Sequence, residues 1–197
     1  MFDISAIILD IFGPYGWAGL LFCVFLVFLV DSLIFPTLPE LFTVIAFMYD
    51  PSLTWGVAIL AVILLGEFIG MTSLYLVVEH IRVPKRVHVI ATRYVNFLIM
   101  GDERLLLLNR VAPMIPFCGA FVSIIDTWTY RRALSFLISG AALKYGLILL
   151  MSGFFFQFFS GPAAQMITLA FVGVVIVLSF LYSYIRQRRM KDGGPCA

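Results

Sequence analysis

Long apolar runs separated by short polar stretches constrain this chain more than any other feature. Four of them, at residues 15–34, 53–78, 133–156 and 163–185, have the length of about 20 residues that a helix needs to cross a bilayer. The chain has 62% hydrophobic and only 12% charged residues, whereas soluble domains carry roughly 25% charged residues. The sequence therefore predicts an all-α integral membrane protein with about four spanning helices.

The basic residues are confined to one part of the chain. Residues 1–81 carry seven acids and no Lys or Arg, and the remainder carries all 13 basic residues. In a membrane protein this asymmetry indicates which loops face the cytoplasm. We therefore interpret it as topology and not as a nucleic-acid contact. We therefore expect 82–104, Arg131, Arg132 and the tail 186–197 to be cytoplasmic, in a multi-pass protein of the cytoplasmic membrane.

Residues 105–125 are long enough to cross the membrane but contain Arg110, Pro113 and Pro116. If this segment crossed, the basic clusters before and after it would lie on opposite sides, against the positive-inside rule. If it enters and returns, all basic clusters share the cytoplasmic side. The charges therefore predict a re-entrant helical hairpin over 105–125.

A second re-entrant hairpin is predicted over residues 34–50. Pro36 and Pro39 interrupt any helix there, and the segment is too short to cross a core about 30 Å thick. We expect it to enter and leave from the outer face, after the first span has crossed. The two hairpins would then be opposed, and broken backbone at that depth requires cover from protein or a water-filled cavity.

The predicted organisation is one membrane domain over 15–185. An interfacial helix over 1–14 precedes it, and the basic cytoplasmic tail 186–197 follows it. An amphipathic helix over 84–99 is expected at the cytoplasmic surface, because its apolar residues recur with helical period.

An internal repeat is a further hypothesis. A single constant offset in sequence number superposes three pairs, which are Pro36 with Pro113, Pro39 with Pro116, and Glu67 with Lys144. Inverted repeats with broken helices are a recurrent plan in transporters.

Charged residues inside apolar segments are the candidates for function, because each costs about 2.5–3.5 kcal/mol on insertion scales unless it is paired or lines a path. They are Asp31, Glu40, Glu67, Arg110 and Lys144. For Arg110 we favour bidentate binding of a phosphate over a structural salt bridge to Asp31 or Glu40. The two interpretations are compatible if the substrate displaces that carboxylate from Arg110.

The acids leave alternatives open. Glu40 either exchanges a proton during transport or stabilises a helix N-terminus through the dipole. Asp31 is either a second proton site or a helix cap. Glu67 and Lys144 are predicted to form one buried pair, whose usual role is to fix helix packing.

Enzyme and metal chemistry have little support. No catalytic triad, Gly-rich phosphate loop or zinc-binding helix motif is present in the sequence, and His80 and His88 are expected to be solvated surface residues. We predict a protein that is not an enzyme and needs no cofactor, with proton or cation coupling left open.

The two hairpin motifs resemble the DedA/VTT (SNARE-associated) superfamily, nearest its short YqaA-like branch. The residues that carry the resemblance, over about 15–157, run in order: Asp31, Pro36, Pro39, Glu40, Gly66, Gly70, Arg110, Pro113, Pro116 and Gly119. The chain departs in having Asp31 where many members have Glu, and Pro116 where the bacterial pattern has a second arginine. The loss of that arginine weakens a two-arginine phosphate clamp.

The resemblance implies two facing re-entrant hairpins shaped by the four prolines and Gly119, with essential residues at Asp31, Glu40 and Arg110. It also implies movement of lipid or lipid-phosphate, polyprenyl-phosphate or phospholipid, between leaflets. The alternative from the residues alone is a proton-coupled exporter of small cationic or hydrophilic solutes. Membrane lipids are the expected partners, and a symmetric homo-oligomer remains open.

Overall fold

The described residues of the computed structural model are 16–33, 39–81, 103–111, 117–125, 127–158 and isolated helical positions between 167 and 184. In this part of the chain every regular element is an α-helix. The helices are α1 (Gly16–Leu33), α2 (Pro39–Tyr49), α3 (Leu53–His80), α4 (Leu105–Val111), α5 (Cys118–Ile124) and α6 (Tyr130–Phe158). The predicted helices over 1–14 and 84–99, the tail 186–197, and Pro36, Pro113 and Pro116 lie outside the described residues.

Three helices, α1, α3 and α6, are long and apolar enough to cross a membrane. At about 1.5 Å per residue, α3 with 28 residues and α6 with 29 residues extend beyond the hydrocarbon core, which is about 30 Å thick. The fourth predicted span, 163–185, is described only at scattered helical positions, of which Phe171 packs its ring against Phe155 of α6 at 5.6 Å.

Helices α1 and α3 run parallel and in constant register. The ring centroids of Trp17 and Trp55 are 6.4 Å apart. A Cβ atom added to Gly66 would lie 3.1 Å from Cβ of Phe28. A Cβ added to Gly70 would lie 2.6 Å from Cβ of Ser32. The separation in sequence is the same for all three pairs, so the two helices keep one alignment along their shared length. Gly66 and Gly70 permit this approach, as small residues four apart do in membrane helix pairs.

Helix α2 runs back toward the point where α1 begins. Its last turn lies beside the start of α3, since the Trp55 indole donates to the Ala46 carbonyl at 2.9 Å. This bond satisfies one of the carbonyl groups that a helix leaves unpaired at its C-terminus. Ser52 caps the start of α3 by accepting from the Trp55 amide. We call this end of the bundle, marked by Trp17 and Trp55, the tryptophan end.

The described helices differ from the first hairpin predicted over residues 34–50. That segment was expected to leave and return to one face, but Leu33 follows Ser32 at the level of Gly70, whereas Tyr49 packs against Trp55. Gly70 and Trp55 are about four helical turns apart along α3, or about 22 Å. The antiparallel pair is formed by α1 and α2 together, and re-entry of this pair stays a prediction.

Helix α6 is antiparallel to α3. The hydroxyls of Thr72 and Tyr130 are 2.7 Å apart, and a Cβ added to Gly146 would lie 4.0 Å from Leu60. The start of α6 lies beside the last third of α3 and carries the exposed Arg131 and Arg132. We call this the basic end. The helical rise from Trp55 to Thr72 places the two ends about 26 Å apart.

Helices α4 and α5 form a second helical hairpin at the basic end. The carboxylate of Glu103, before α4, accepts a hydrogen bond from the backbone N–H of Thr129, before α6, at 2.8 Å. The chain between them therefore returns to the place that it left. Helix α4 packs along α6 and α5 packs on α3, so this hairpin lies inside the bundle.

Candidate functional site

The start of α2 positions Glu40 inside the bundle. Pro39 is the first helical residue, where its missing N–H costs nothing and its fixed φ favours the helix. Glu40 follows in the first turn, where a carboxylate is stabilised by the helix dipole. The residue is only 8% exposed. The predicted position of Glu40 at a helix N-terminus is therefore confirmed, and the proton hypothesis is a separate matter.

Lys144 of α6 is the partner of Glu40. Its Nζ lies 2.5 Å from Oε1 of Glu40, and the two side chains are 14% and 10% exposed. The ammonium also lies 5.3 Å from the ring centroid of Tyr145, which packs edge-on against Phe28 of α1 at 4.8 Å. The sequence predicted Glu67 as the partner of Lys144, and that pairing is wrong. At this level α2 lies against α6, so Glu40 rather than Glu67 is beside the Lys144 ammonium.

Glu67 and Asp31 lie deeper along the bundle. Glu67 is fully buried on α3, in the turn between Gly66 and Gly70 through which α3 contacts α1. Asp31 is half-buried on α1, directly before the Ser32 that Gly70 contacts. A carboxyl group at this depth is costly unless it is paired or hydrogen-bonded, and both residues have interactions of their own.

The four charged side chains occupy neighbouring levels between the two ends. Ala46 is level with Trp55, and Trp17 is level with Trp55, so depth can be counted along each helix from these residues. The helical rise then places Glu40, Glu67 and Asp31 about 9, 18 and 21 Å from the tryptophan end. Lys144 shares the level of Glu40. We call Asp31, Glu40, Glu67 and Lys144 the charged zone.

The second hairpin approaches the charged zone from the basic end. Asn109 of α4 donates to the Cys118 sulfur of α5 at 3.2 Å and joins the two arms. Arg110 follows Asn109 in α4, but its side chain lies outside the described residues. Gly119 of α5 approaches Met71, which follows the Gly70 that contacts Ser32. The second hairpin therefore lies next to the level of Asp31.

Gly119 lets the second hairpin pack closely on α3. A Cβ added there would lie 2.5 Å from the Met71 carbonyl oxygen and 3.1 Å from the Tyr75 nitrogen. The residue that turns the chain in the left-handed region is Phe117, with φ of 53°. Gly119, predicted to shape the hairpin, therefore acts through close packing rather than through an unusual backbone angle.

Several residues of this arrangement carry no distinctive signal in the sequence. Glu103 and Asn109 join segments of the second hairpin, and Trp55 joins α2 to α3. Pro51 and Ser52 indicate a helix start and place Trp55 in its first turn. The hydrogen bond from the Trp55 indole to the preceding helix depends on the tertiary fold. Neither polar bond of the second hairpin follows from spacing alone.

An apolar groove of 390 Å³ opens between α3 and α6 at the tryptophan end. Phe47 forms its floor, and Gly56, Gly146 and Gly153 leave the space along its walls. Lys144 precedes Gly146 by two residues, so it projects from a helix face about 200° away. The groove is therefore separate from the charged zone.

No cluster of three His, Cys, Asp or Glu side chains able to hold a metal ion occurs within the described ranges. An ion pair of carboxylate and ammonium, such as Glu40 with Lys144, can instead bind charged groups by exchanging partners. Comparison with protein-family models, curated proteins and solved structures gives no match to this chain.

Proposed function

We propose that this protein is a transporter that moves lipid or lipid-phosphate between the leaflets of the cytoplasmic membrane. The observation that carries the proposal is that the helix pairs α1–α2 and α4–α5 start from opposite ends of one bundle and lie against a buried charged zone. Intramembrane charges are functional candidates by default. The resemblance to the DedA/VTT superfamily supports the same activity.

The charges suggest which end faces the cytoplasm. The described basic residues at the basic end are Arg104, Arg131 and Arg132, and the basic stretch 82–104 follows directly after α3. The positive-inside rule then makes the basic end cytoplasmic. The tail 186–197 joins it if 163–185 crosses once more.

This assignment gives both hairpins a re-entrant role. The α1–α2 hairpin enters from the outer face, and the α4–α5 hairpin enters from the cytoplasmic face. Pro36 lies in the sequence between α1 and α2, and Pro113 and Pro116 lie in the sequence between α4 and α5. Backbone that proline interrupts is tolerable at membrane depth only inside protein or beside a wet cavity. A route along the charged zone would carry a polar headgroup while its acyl chains stay in the bilayer.

A leaflet-exchange assay in proteoliposomes tests the proposal. Purified protein is expected to accelerate the exchange of acyl-labelled lipids, measured by chemical quenching of the label in the outer leaflet. Glu40→Gln and Arg110→Ala should slow this exchange roughly tenfold or more, the effect of losing one charge-assisted hydrogen bond. Asp50→Asn, which removes an exposed carboxylate beyond the last residue of α2, is the matched control. Exchange that neither test variant alters would refute this site.

A second candidate is a proton-coupled exporter of small cationic or hydrophilic solutes. The carboxyl groups of Asp31, Glu40 and Glu67, which lie inside the bundle, are the proton and cation sites that this function would use. Solute-dependent proton flux in vesicles that show no lipid exchange would establish this function in place of the first.

A further inference from the structure

We infer that the Glu40–Lys144 pair binds the lipid headgroup and selects a zwitterionic one. The phosphate of that headgroup would pair with Lys144, and its ammonium would pair with Glu40. This inference rests on the proposed function and names its substrate class. It follows from the geometry of the pair and from the charge that any ligand must supply to open it.

The pair joins two elements and is not sealed. Glu40 belongs to α2 and Lys144 to α6, so a ligand that separates them enters between two helices. Their side chains keep 10% and 14% exposure, which leaves a side of the pair accessible. Lys144 has three N–H donors, and Glu40 Oε1 receives one of them. The ammonium can therefore bind a phosphate oxygen before it releases the carboxylate.

Charge balance selects the ligand. A simple anion on Lys144 would leave the Glu40 carboxylate without a counter-charge, and a simple cation on Glu40 would leave the ammonium without one. Breaking a buried pair on one side is strongly destabilising for that reason. A zwitterionic headgroup satisfies both partners at once. No proton or electron is transferred, since one ion pair is exchanged for two.

The ionisable groups around the pair lie on the three helices that pack against α2, which are α1, α3 and α6. They are Asp31 on α1, Glu67 on α3 and Tyr145 beside Lys144 on α6. Asp31 and Glu67 lie deeper and have interactions of their own. The selection of headgroup charge is therefore assigned to Glu40 and Lys144.

The test compares acyl-labelled phosphatidylethanolamine with phosphatidylglycerol in the same proteoliposomes, both chosen as probes. The wild-type protein is expected to exchange the zwitterionic lipid about tenfold faster, the value of one charge-assisted hydrogen bond.

Glu40→Gln separates a headgroup role from a structural one. The variant should lose the preference, because exchange of phosphatidylethanolamine slows while exchange of phosphatidylglycerol does not. The double variant Glu40→Gln/Lys144→Met removes both charges of the pair, and it should fold but exchange both lipids slowly. A purely structural pair would predict equal losses for both lipids in Glu40→Gln and recovery of both in the double variant.

The outcomes distinguish this inference from the proposed function. Wild-type exchange that is equal for both headgroups overturns the inference and leaves lipid movement standing. Folded protein that exchanges neither lipid overturns both. Free phosphoethanolamine serves as a separate arm, and its uptake without lipid exchange would support the same charge readout while refuting lipid as its source.

Discussion

Gly119→Ala should loosen the second hairpin from α3. The added methyl carbon would lie 2.5 Å from the Met71 carbonyl oxygen, 3.1 Å from Leu74 Cβ and 3.1 Å from the Tyr75 nitrogen. Non-bonded carbon contacts are most favourable near 3.5–4.0 Å, so α5 must move about 1 Å away. Two of these atoms belong to the backbone of α3, and no rotamer change can remove the clash. Overpacking of this kind costs about 1–3 kcal/mol.

The measurement is reversible unfolding of the purified protein in mixed micelles, followed by helical circular dichroism. Gly146→Ala is the matched control, because a Cβ there would meet only the end of the Leu60 side chain, at 4.0 Å. Alanine also favours a helix over glycine by up to about 1 kcal/mol, so the control should be unchanged or slightly more stable. Equal stability of the two variants would refute the close packing of α5 on α3.

Three other substitutions test polar contacts by the same unfolding measurement. Lys144→Met should destabilise by about 3–5 kcal/mol, the cost of breaking a buried pair from one side, and adding Glu40→Gln should recover most of the loss; no recovery would argue against the pair. Trp55→Phe should cost about 1–2 kcal/mol, because the Ala46 carbonyl loses its indole donor, and no change would mean that this bond does not hold α2. Glu103→Ala should cost about 1.5–3 kcal/mol through loss of its charged acceptor, whereas Glu79→Ala, which changes a surface acid near the end of α3, should have little effect.

The sequence predicts the elements of this fold better than their directions. The apolar runs predict α1, α3 and α6 because burial in lipid requires about 20 apolar residues in succession. Pro39 predicts the start of α2 because proline suits a first helical turn. Neither signal predicts that α2 runs back toward the start of α1. That direction depends on the tertiary packing, in which Gly66 and Gly70 let α3 lie parallel to α1.

The charged zone was predicted residue by residue but not as a set of contacts. Glu40 and Lys144 are visible as charges in apolar runs, and their cost in lipid marks them. Their pairing depends on how far α2 reaches along α6, which periodicity does not encode. The internal repeat suggested Glu67 as the partner of Lys144, because the two residues occupy matching positions in the two proposed halves. The actual contact joins the first hairpin to the last long helix.

Labelling of single cysteines in sealed vesicles tests the opposed hairpins most directly. Asp50→Cys, Arg104→Cys and Thr127→Cys, each at an exposed position, would be introduced separately into a background without the native cysteines. An impermeant maleimide should label position 50 only from the outer side, and positions 104 and 127 only from the cytoplasmic side. Labelling of 104 and 127 from opposite sides would contradict the account, because the second hairpin would then cross the membrane.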